Sequence, residues 1–196
     1  MVEQKDISPT KLKIAKVAEE LFSKKGYAAT SMEDITTASG SSKGSIYYHF
    51  KSKEKLFIFI IQTKANEWKE EWNKKKELYQ TNTEKLYALA DHYLTDYHNP
   101  LLKAAEEFGG SQTADPEVVA ELLQILRNQY YDAYLHIFED GIKAGEFIEE
   151  NPTDLMYLLF ATHSGLSIAY YEMDFEEIKK LYHKSIEVLL RGIQKK

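Results

Sequence analysis

The sequence predicts an all-α protein of about nine helices, and three observations support that fold class. Apolar residues recur at spacings of three and four residues along most of the chain, as they do on a helix that buries one face. No segment shows the strict alternation of apolar and polar residues that is typical of a half-buried strand. Pro and Gly are scarce, with 4 and 9 in 196 residues, so few positions interrupt a helix.

The composition is that of an ordinary globular protein, with 43% hydrophobic and 29% charged residues. The length suffices for a small domain attached to a larger one. The chain has no Cys, which excludes a disulfide framework and a thiolate metal site and fits a reducing compartment. Neither an apolar N-terminal segment nor an apolar run of about 20 residues occurs. We therefore expect a cytoplasmic protein with no secretory signal and no membrane span.

The first predicted helix opens after the cap residue Ser8, with Pro9 at the first helical position, where a missing N–H costs nothing. It ends at Lys24, Lys25 and Gly26, because cations and glycine favour a helix C-terminus. Its buried stripe consists of Ile14, Val17, Ala18, Leu21 and Phe22. The predicted core of the N-terminal three-helix unit is Phe22, Ile35, Ile46, Phe50 and Leu56.

Two short helices follow, separated by a tight turn. Ser31 can cap the first of them, with Asp34 as the partner acid of a capping box. Gly40 can take the positive φ that the turn needs, and Ser42 can cap the second helix, residues 43–49. Two short helices around a Gly-containing turn have the outline of a helix-turn-helix.

The second short helix is too short and too polar to be a core element, and Ile46 is its expected inward anchor. Its hydroxyls, its lysine and its N-terminal amides are groups that hydrogen-bond to phosphate oxygens and base edges. A solvated junction is the alternative, and the pattern alone leaves both open. The charge distribution agrees with nucleic-acid binding, because residues 1–55 carry a net charge of +3 and residues 56–196 carry −9.

The fourth helix begins at Lys53 after the cap residue Ser52 and can run to about Leu78, which makes it long enough to belong to two domains. We place the boundary so that residues 1–55 form a helix-turn-helix domain and residues 56–196 form a larger helical domain. The buried face of this helix consists of Phe57, Ile60, Ile61, Ala65, Trp68 and Trp72. Caps, Pro and Gly divide the rest into helices over residues 82 to about 98, 101–108, 116 to about 144, 151 to about 173, and 174 to the C-terminus.

Residues 12–57 resemble the N-terminal domain of the TetR family of transcriptional regulators. The similarity lies in the leading helix that ends LFSKKGYAATS, in the segment MEDITTASG and in the run SKGSIYYHFKSKEKLF. It continues more weakly through EWKEEW, NTEKLY and YYDAYLHIFEDGIKAGEF, where the chain is most similar to a multidrug-binding repressor of the family. The resemblance implies a ligand-responsive homodimeric repressor that binds a palindromic operator in double-stranded DNA and is released by a small-molecule effector.

On that resemblance, Lys43 and Lys53 are expected to contact phosphates. Tyr47, Tyr48 and His49 are expected to contact the DNA backbone or base edges. The predicted DNA-binding set is Thr30, Ser31, Ser41, Ser42, Lys43, Gly44, Ser45, Tyr47, Tyr48, His49 and Lys53.

The C-terminal region holds both Trp, 11 of the 14 Tyr and 7 of the 9 Phe, which can fill a dry helical core or line a ligand pocket. By resemblance, Trp68 and Tyr130 match pocket aromatics, and Asp96 matches a pocket acid. Three other pocket acids are missing, because their positions hold Lys64, Ala65 and Arg127. The predicted ligand-binding set is Trp68, Trp72, Tyr93, Asp96, Tyr97, Glu107, Phe108, Tyr130 and Tyr134.

The charge of the ligand stays open, since a lipophilic cation would lack most of its counter-charges. We expect a repressor of an efflux or detoxification gene that responds to an aromatic or lipophilic ligand. A regulator of a metabolic gene that responds to a neutral or anionic metabolite is the alternative, followed by a helical ligand-binding protein that does not bind DNA.

The last two helices carry more apolar surface than one neighbour covers, which indicates either intramolecular packing or a dimeric four-helix bundle. The resemblance places a homodimer interface there. Their apolar residues include Leu155, Leu158, Leu159, Leu166, Ile186, Leu189 and Leu190.

An enzyme is the rival class, and the sequence offers little for it. None of the six His follows a Glu by three residues, and no phosphate-binding glycine loop or nucleophile elbow occurs. His136, Glu139 and Asp140 have metal-compatible spacing, but a solvated charged face explains them better. We therefore expect no catalytic residue, no metal and no cofactor.

Overall fold

Nine α-helices make up most of the described chain, which confirms the predicted all-α class. The computed structural model describes residues 8–96, 99–111, 114–166, 168–169 and 172–194. The helices are α1 (Pro9–Lys25), α2 (Met32–Ser39), α3 (Lys43–Phe50), α4 (Lys53–Lys75), α5 (Asn82–Tyr93), α6 (Pro100–Gly109), α7 (Pro116–Lys143), α8 (Pro152–Leu166) and α9 (Phe175–Ile193). Short 3-10 turns, Lys76–Leu78 and Leu94–Asp96, follow α4 and α5. Within the described ranges no strand forms, although Phe147 and Gln194 make an isolated antiparallel bridge.

Local capping residues fix the starts of several helices. Ser8 Oγ accepts a hydrogen bond from the backbone N–H of Lys11 at 3.2 Å, in front of Pro9. Asp174 and Glu177 form a capping box at the start of α9, where Asp174 Oδ1 accepts from Glu177 N at 2.9 Å. A cap of this kind satisfies a backbone donor that the helix leaves unpaired and contributes about 1 kcal/mol.

Three helices end earlier than the sequence predicted. The α-helical part of α4 stops at Lys75, and α5 stops at Tyr93 rather than near His98; each is followed by a 3-10 turn. Helix α8 ends at Leu166 rather than at Met173. The backbone N–H groups of Glu172 and Met173 both donate to Ala169 O, which closes a turn there instead of continuing the helix.

The described residues divide into two compact units. The first lies within Met1–Ala65 and Asn99–Leu126, and the second within Asn66–His98 and Arg127–Lys196. Helices α4 and α7 contribute residues to both units. The first unit therefore contains α6 and the start of α7 besides the three N-terminal helices, whereas the predicted helix-turn-helix domain consists of residues 1–55. That domain boundary stays a prediction.

The core of the first unit is aromatic at its centre. The rings of Phe22 and Phe57 lie 5.0 Å apart, and those of Tyr27 and Phe108 lie 4.6 Å apart. The five residues predicted to form the three-helix core are all buried. A buried Phe or Ile contributes about 1.5–3 kcal/mol relative to exposure, so this core holds the short helices α2 and α3 in place.

The core of the second unit joins α4, α5, α7, α8 and α9 around large side chains that include Trp68, Tyr134, Phe138 and Tyr182. The carboxylate of Glu146 accepts from the backbone N–H groups of Asn82 and Thr83 at 2.7 and 2.8 Å, which secures the start of α5. Among the described residues, no helix is long and apolar enough to cross a membrane.

Candidate nucleic-acid interface and aromatic cluster

The turn between α2 and α3 has the geometry of a helix-turn-helix. Gly40 ends α2 with φ 61° and ψ 20°, a left-handed conformation that glycine adopts without a Cβ penalty. Ser42 starts α3, and its Oγ accepts from Ser45 N at 3.1 Å. The two helices of eight residues each are thus separated by three residues.

Helix α3 is anchored on one side and open on the other. Ile46 and Phe50 are buried, at 0% and 3% exposure, whereas Tyr48 is 81% exposed and Tyr47 is 41% exposed. The structure brings eight of the predicted DNA-binding residues together on and beside this helix: Ser41, Ser42, Lys43, Gly44, Ser45, Tyr47, Tyr48 and His49. Hydroxyls, an ammonium and helix N-terminal amides on one surface can donate to phosphate oxygens and base edges.

Two further predicted DNA-binding residues serve the start of α2. Ser31 Oγ accepts from Asp34 N at 3.0 Å, and the backbone N–H of Ser31 donates to Asp34 Oδ2 at 2.9 Å, which completes a capping box. The hydrogen bond from the Ser31 backbone lowers the pKa of the Asp34 carboxyl. Thr30 is fully buried, and its Oγ1 donates to Gly26 O at 2.8 Å, so its side chain is not presented to solvent.

Lys53 lies in a different setting from Lys43. Its Nζ donates to Tyr27 O and to Thr30 O, each at 3.0 Å, and lies 4.2 Å from the centre of the Tyr27 ring. Burial lowers the pKa of the Lys53 ammonium. The structure thus joins Lys53 to the segment between α1 and α2. No local spacing in the sequence signals this contact, because the partners lie 26 and 23 residues away.

Glu107 and Phe108, predicted as ligand-binding residues, belong to the first unit. The Glu107 carboxylate accepts from Tyr27 N at 2.8 Å and from Ala28 N at 3.2 Å. Phe108 is buried against the Tyr27 ring. The structure therefore does not place these two residues in the same unit as the other predicted ligand-binding residues.

Those other residues form an aromatic cluster in the second unit, defined here by Trp68, Trp72, Tyr93, Asp96, Tyr130 and Tyr134, with His92 and His163. The Tyr130 ring lies 5.0 Å from Trp68 and 4.6 Å from Tyr93. Asp96 Oδ2 accepts from Tyr130 Oη and from Gln129 Nε2, each at 3.1 Å. Tyr97, also predicted for this site, lies outside the described residues.

The electrostatics of the aromatic cluster favour neutral tyrosines around one carboxylate. Burial raises the pKa of Tyr130, and the nearby Asp96 carboxylate raises it further. Burial likewise raises the pKa of Tyr134. The indole Nε1 of Trp68 is buried and has no hydrogen-bond partner among the described residues. A ligand with an acceptor atom near this indole could satisfy it.

His163 is a member of the cluster that the prediction left out. Its Nδ1 lies 2.6 Å from Tyr134 Oη, and its Nε2 lies 2.9 Å from Ser185 Oγ. Burial lowers the pKa of His163 to about 4. Because Ser185 Oγ donates to Tyr182 O at 2.7 Å, it accepts from Nε2–H, and Nδ1 accepts from Tyr134. The imidazole therefore cannot act as a base toward Ser185, and the trio is a hydrogen-bonded core.

A cleft of about 240 Å³ lies beside the cluster in the second unit. Trp72 and Gln129 line it, together with Lys69 and Asp132, whose charged groups pair at 2.9 Å. His136 and Asp140 also line this cleft, but the described residues contain no group of three or more side chains arranged to hold a metal ion.

An apolar groove runs along α8 and α9. Its volume is about 430 Å³. Leu158 and Val188, which line it, are 60% and 59% exposed. The remaining apolar residues of the groove are Leu159, Leu166, Leu181 and Leu189. Exposed apolar side chains grouped in this way are typical of protein–protein contact surfaces in general.

Comparison with known proteins gives matches over nearly the whole chain. Residues 14–59 match the model of bacterial regulatory proteins of the TetR family, and residues 64–195 match the model of the QacR-like C-terminal region. The HTH-type transcriptional regulator QacR of Staphylococcus aureus (strain Mu50 / ATCC 700699) is 36% identical over 184 residues, which cover 93% of this chain and 97% of that protein.

Solved structures show the same fold. A TetR-family transcriptional regulator from Mesorhizobium loti MAFF303099 superposes with a TM-score of 0.82 at 21% identity, over 95% of this chain and 97% of that one. The regulator FadR from Bacillus subtilis, in complex with stearoyl-CoA, superposes with a TM-score of 0.71 at 22% identity, over 93% and 99% of the two chains.

Proposed function

Because this chain belongs to the TetR family of bacterial transcriptional regulators and carries a QacR-like C-terminal region, we propose that it represses an efflux or detoxification gene. Its family and its homologues are regulators, not enzymes. The repressor leaves its operator when an aromatic or lipophilic ligand binds. Since a repressor acts where its operator lies, the proposed location is the cytoplasm.

The observation that carries the proposal is the exposed face of α3. Two buried anchors, Ile46 and Phe50, hold the helix while Tyr47 and Tyr48 project from the unit. The proposed contacts to DNA come from Ser31, Ser41, Ser42, Lys43, Gly44, Ser45, Tyr47, Tyr48 and His49. The absence of a side chain at Gly44 lets the backbone approach DNA closely. Thr30 is not among them because its side chain is buried, and neither is Lys53, whose ammonium is hydrogen-bonded to Tyr27 O and Thr30 O.

Regulators of this family bind DNA operators and small-molecule effectors and act as dimers. The proposed dimer interface of this chain is the groove on α8 and α9, centred on Leu158 and Val188. Packing two such faces about a two-fold axis forms a four-helix bundle. Two α3 helices related by that axis would read the two halves of a palindromic operator.

The proposed effector site is the aromatic cluster, which includes the rings of Tyr93 and Tyr130. Their rings are in contact at 4.6 Å, so a planar ligand must part them. Trp68 offers an aromatic face and a buried N–H without a partner in the described chain. Asp96 supplies a single negative charge that a lipophilic cation could use. Only this acid matches the pocket acids expected by resemblance. A single carboxylate gives a cation only a small advantage in affinity over a neutral ligand, so neutral ligands are also proposed.

Effector release needs only a difference in affinity. If the effector binds the operator-incompatible state more tightly, the free energy of DNA binding becomes less favourable. The change equals the coupling free energy between the two sites, typically about 1–3 kcal/mol. A metabolic regulator that responds to a neutral or anionic metabolite is the alternative. The complex of FadR with stearoyl-CoA shows that an acyl thioester occupies one protein of this fold. At 22% identity this comparison extends to the fold alone.

The testing experiment is an electrophoretic shift with DNA from the upstream region of the gene, at fixed salt and with excess non-specific competitor. A specific shift that Tyr48→Ala abolishes, while its circular dichroism stays helical, supports the proposal. If the protein does not shift that DNA, sequences that it binds are selected from a pool of random DNA. Failure of both would favour a ligand-binding protein that does not bind DNA. Effectors are then screened by the loss of the shift, with lipophilic cations set against neutral analogues of equal size.

A further inference from the structure

The segment that joins α1 to α2 is held on both of its hydrogen-bonding sides. It runs from Gly26 to Thr30 and leads directly into Ser31, the cap of α2. Gly26 N still belongs to α1, since it donates to Phe22 O at 2.9 Å. Beyond it, the N–H groups of Tyr27 and Ala28 point away from the helix and find partners elsewhere in the first unit.

Glu107 of α6 holds the donor side of this segment. Its two carboxylate oxygens take one N–H each, Oε2 from Tyr27 at 2.8 Å and Oε1 from Ala28 at 3.2 Å. A charged acceptor makes both hydrogen bonds stronger than neutral ones. The next residue, Phe108, packs against the Tyr27 ring at 4.6 Å, so α6 holds the backbone and the side chain of the same residue.

Lys53 of α4 holds the acceptor side. Its ammonium donates to Tyr27 O and Thr30 O, each at 3.0 Å, and lies over the Tyr27 ring at 4.2 Å. The peptide unit between Tyr27 and Ala28 therefore lies between a carboxylate and an ammonium, since its N–H donates to Glu107 and its C=O accepts from Lys53.

Gly26 leaves room for the Glu107 carboxylate beside the turn. Its φ of +81° is a conformation that other residues rarely adopt. A Cβ placed there would lie 2.6 Å from Glu107 Oε2, closer than any van der Waals contact allows. Glycine at this position thus serves both the turn and the approach of Glu107.

We propose that Glu107 and Lys53 are positioning residues for DNA recognition, forming a two-sided clamp on residues 26–30 that sets where α2 begins and how the α2–α3 pair is presented. In this role neither side chain needs to contact DNA. The inference rests on the proposed DNA-binding function, and it replaces the sequence-based roles of Lys53 as a phosphate contact and of Glu107 as a ligand contact.

The first test does not need DNA. Amide hydrogen exchange is compared in the full-length protein for wild type, Glu107→Gln and Glu106→Gln. Glu106 is the adjacent exposed carboxylate on the same helix, so its substitution removes the same charge without the clamp. In Glu107→Gln the amides of Tyr27 and Ala28 should exchange about tenfold faster, because a charge-assisted bond is lost, while Gly26 stays protected. Equal exchange in all three proteins would overturn the clamp.

The second test uses the operator fragment that wild type shifts. Glu107→Gln and Lys53→Met should each weaken binding about 3- to 10-fold relative to wild type, with Glu106→Gln within twofold. Met keeps the aliphatic stem over Tyr27 and removes the ammonium. The slope of log K against log salt should be unchanged in both, since a positioning residue releases no counterions. The double variant should lose less than the product of the two single effects, because both act on one segment.

Each outcome of these tests either supports or overturns the positioning role of Glu107 and Lys53. Unchanged or tighter DNA binding by Glu107→Gln would overturn the positioning role, and a shallower salt slope in Lys53→Met would return Lys53 to the phosphate contacts. If wild type shifts no DNA, the proposed function fails, while the exchange experiment still reports on the clamp. Loss of folding is checked by the thermal midpoint, which should move by only a few degrees in these variants.

Discussion

The hydroxyl of Tyr130 donates to Asp96 Oδ2 at 3.1 Å, and its ring lies 5.0 Å from that of Trp68. This arrangement places one carboxylate at the edge of a set of aromatic faces. The same oxygen also accepts from Gln129 at 3.1 Å, so the charge is held in position rather than mobile. A site of this kind can distinguish ligands by charge through one residue.

Asp96→Asn should lower the affinity for cationic effectors and leave the affinity for neutral effectors nearly unchanged. The amide keeps the shape and an acceptor for Tyr130 but removes the negative charge. Affinity for a planar lipophilic cation should fall about 10-fold or more, as expected for a desolvated cation that loses its counter-charge, whereas affinity for a neutral isostere should stay within about twofold. Calorimetric titration of both ligands into both proteins measures the difference.

Tyr130→Phe is the matched control for that experiment, since it removes the hydrogen bond between Tyr130 and Asp96 and leaves the carboxylate. Cation affinity should survive in it. Equal losses for cation and neutral ligand in Asp96→Asn would show that Asp96 maintains the shape of the cluster instead of recognising charge.

His163 predicts a pH dependence of stability. Burial lowers its pKa to about 4 from an ordinary 6.5, so between these values the unfolded chain binds a proton that the folded chain does not. Stability should therefore fall as the pH falls from about 6.5 to 4, by up to about 3 kcal/mol from this group. Urea unfolding at several pH values measures it. His163→Gln should show a flatter curve over that window, and parallel curves would contradict the assignment.

The helix starts were predictable because their signals are local. Ser8, Ser31 and Asp174 cap helices through hydrogen bonds to N–H groups three residues ahead, which a single stretch of sequence displays. The exposed face of α3 followed in the same way from Ile46 and the polar residues around it. Family resemblance then connected this face with DNA, which the short pattern alone could not do.

Long-range partners could not be predicted from spacing. Glu107 lies 80 residues from Tyr27, and His163 lies 29 residues from Tyr134, so neither pairing leaves a periodic trace. From sequence, Glu107 was predicted as a ligand-binding residue, and His163 was not part of the predicted site. The partners of Glu107 are determined by the fold, because the backbone donors at Tyr27 and Ala28 need acceptors and the fold places the Glu107 carboxylate beside them.

Leu158→Asp should disrupt the proposed dimer. Leu158 is 60% exposed on the α8–α9 groove, and a carboxylate there would be desolvated by a second copy. We expect the dissociation constant of the dimer to rise by about 100-fold or more, and the affinity for the operator to fall with it. Light scattering after size exclusion gives the mass. Leu123→Asp on α7, at 58% exposure, is the matched control and should remain dimeric. A dimeric Leu158→Asp protein would place the interface elsewhere.

Lys43→Ala should report a phosphate contact through its salt dependence. Lys43 begins α3 and is exposed, with its Nζ 6.0 Å from the centre of the Tyr47 ring. Each phosphate contact contributes about 0.9 to the slope of log K against log salt, so a dimer that loses two contacts should show a slope shallower by about 1.8. Binding isotherms between about 50 and 200 mM salt give this slope. Lys180→Ala, which removes an exposed lysine of α9, changes the net charge equally and should keep the wild-type slope. An unchanged slope in Lys43→Ala would remove Lys43 from the phosphate contacts and leave Tyr47, Tyr48 and the serine hydroxyls to carry the interface.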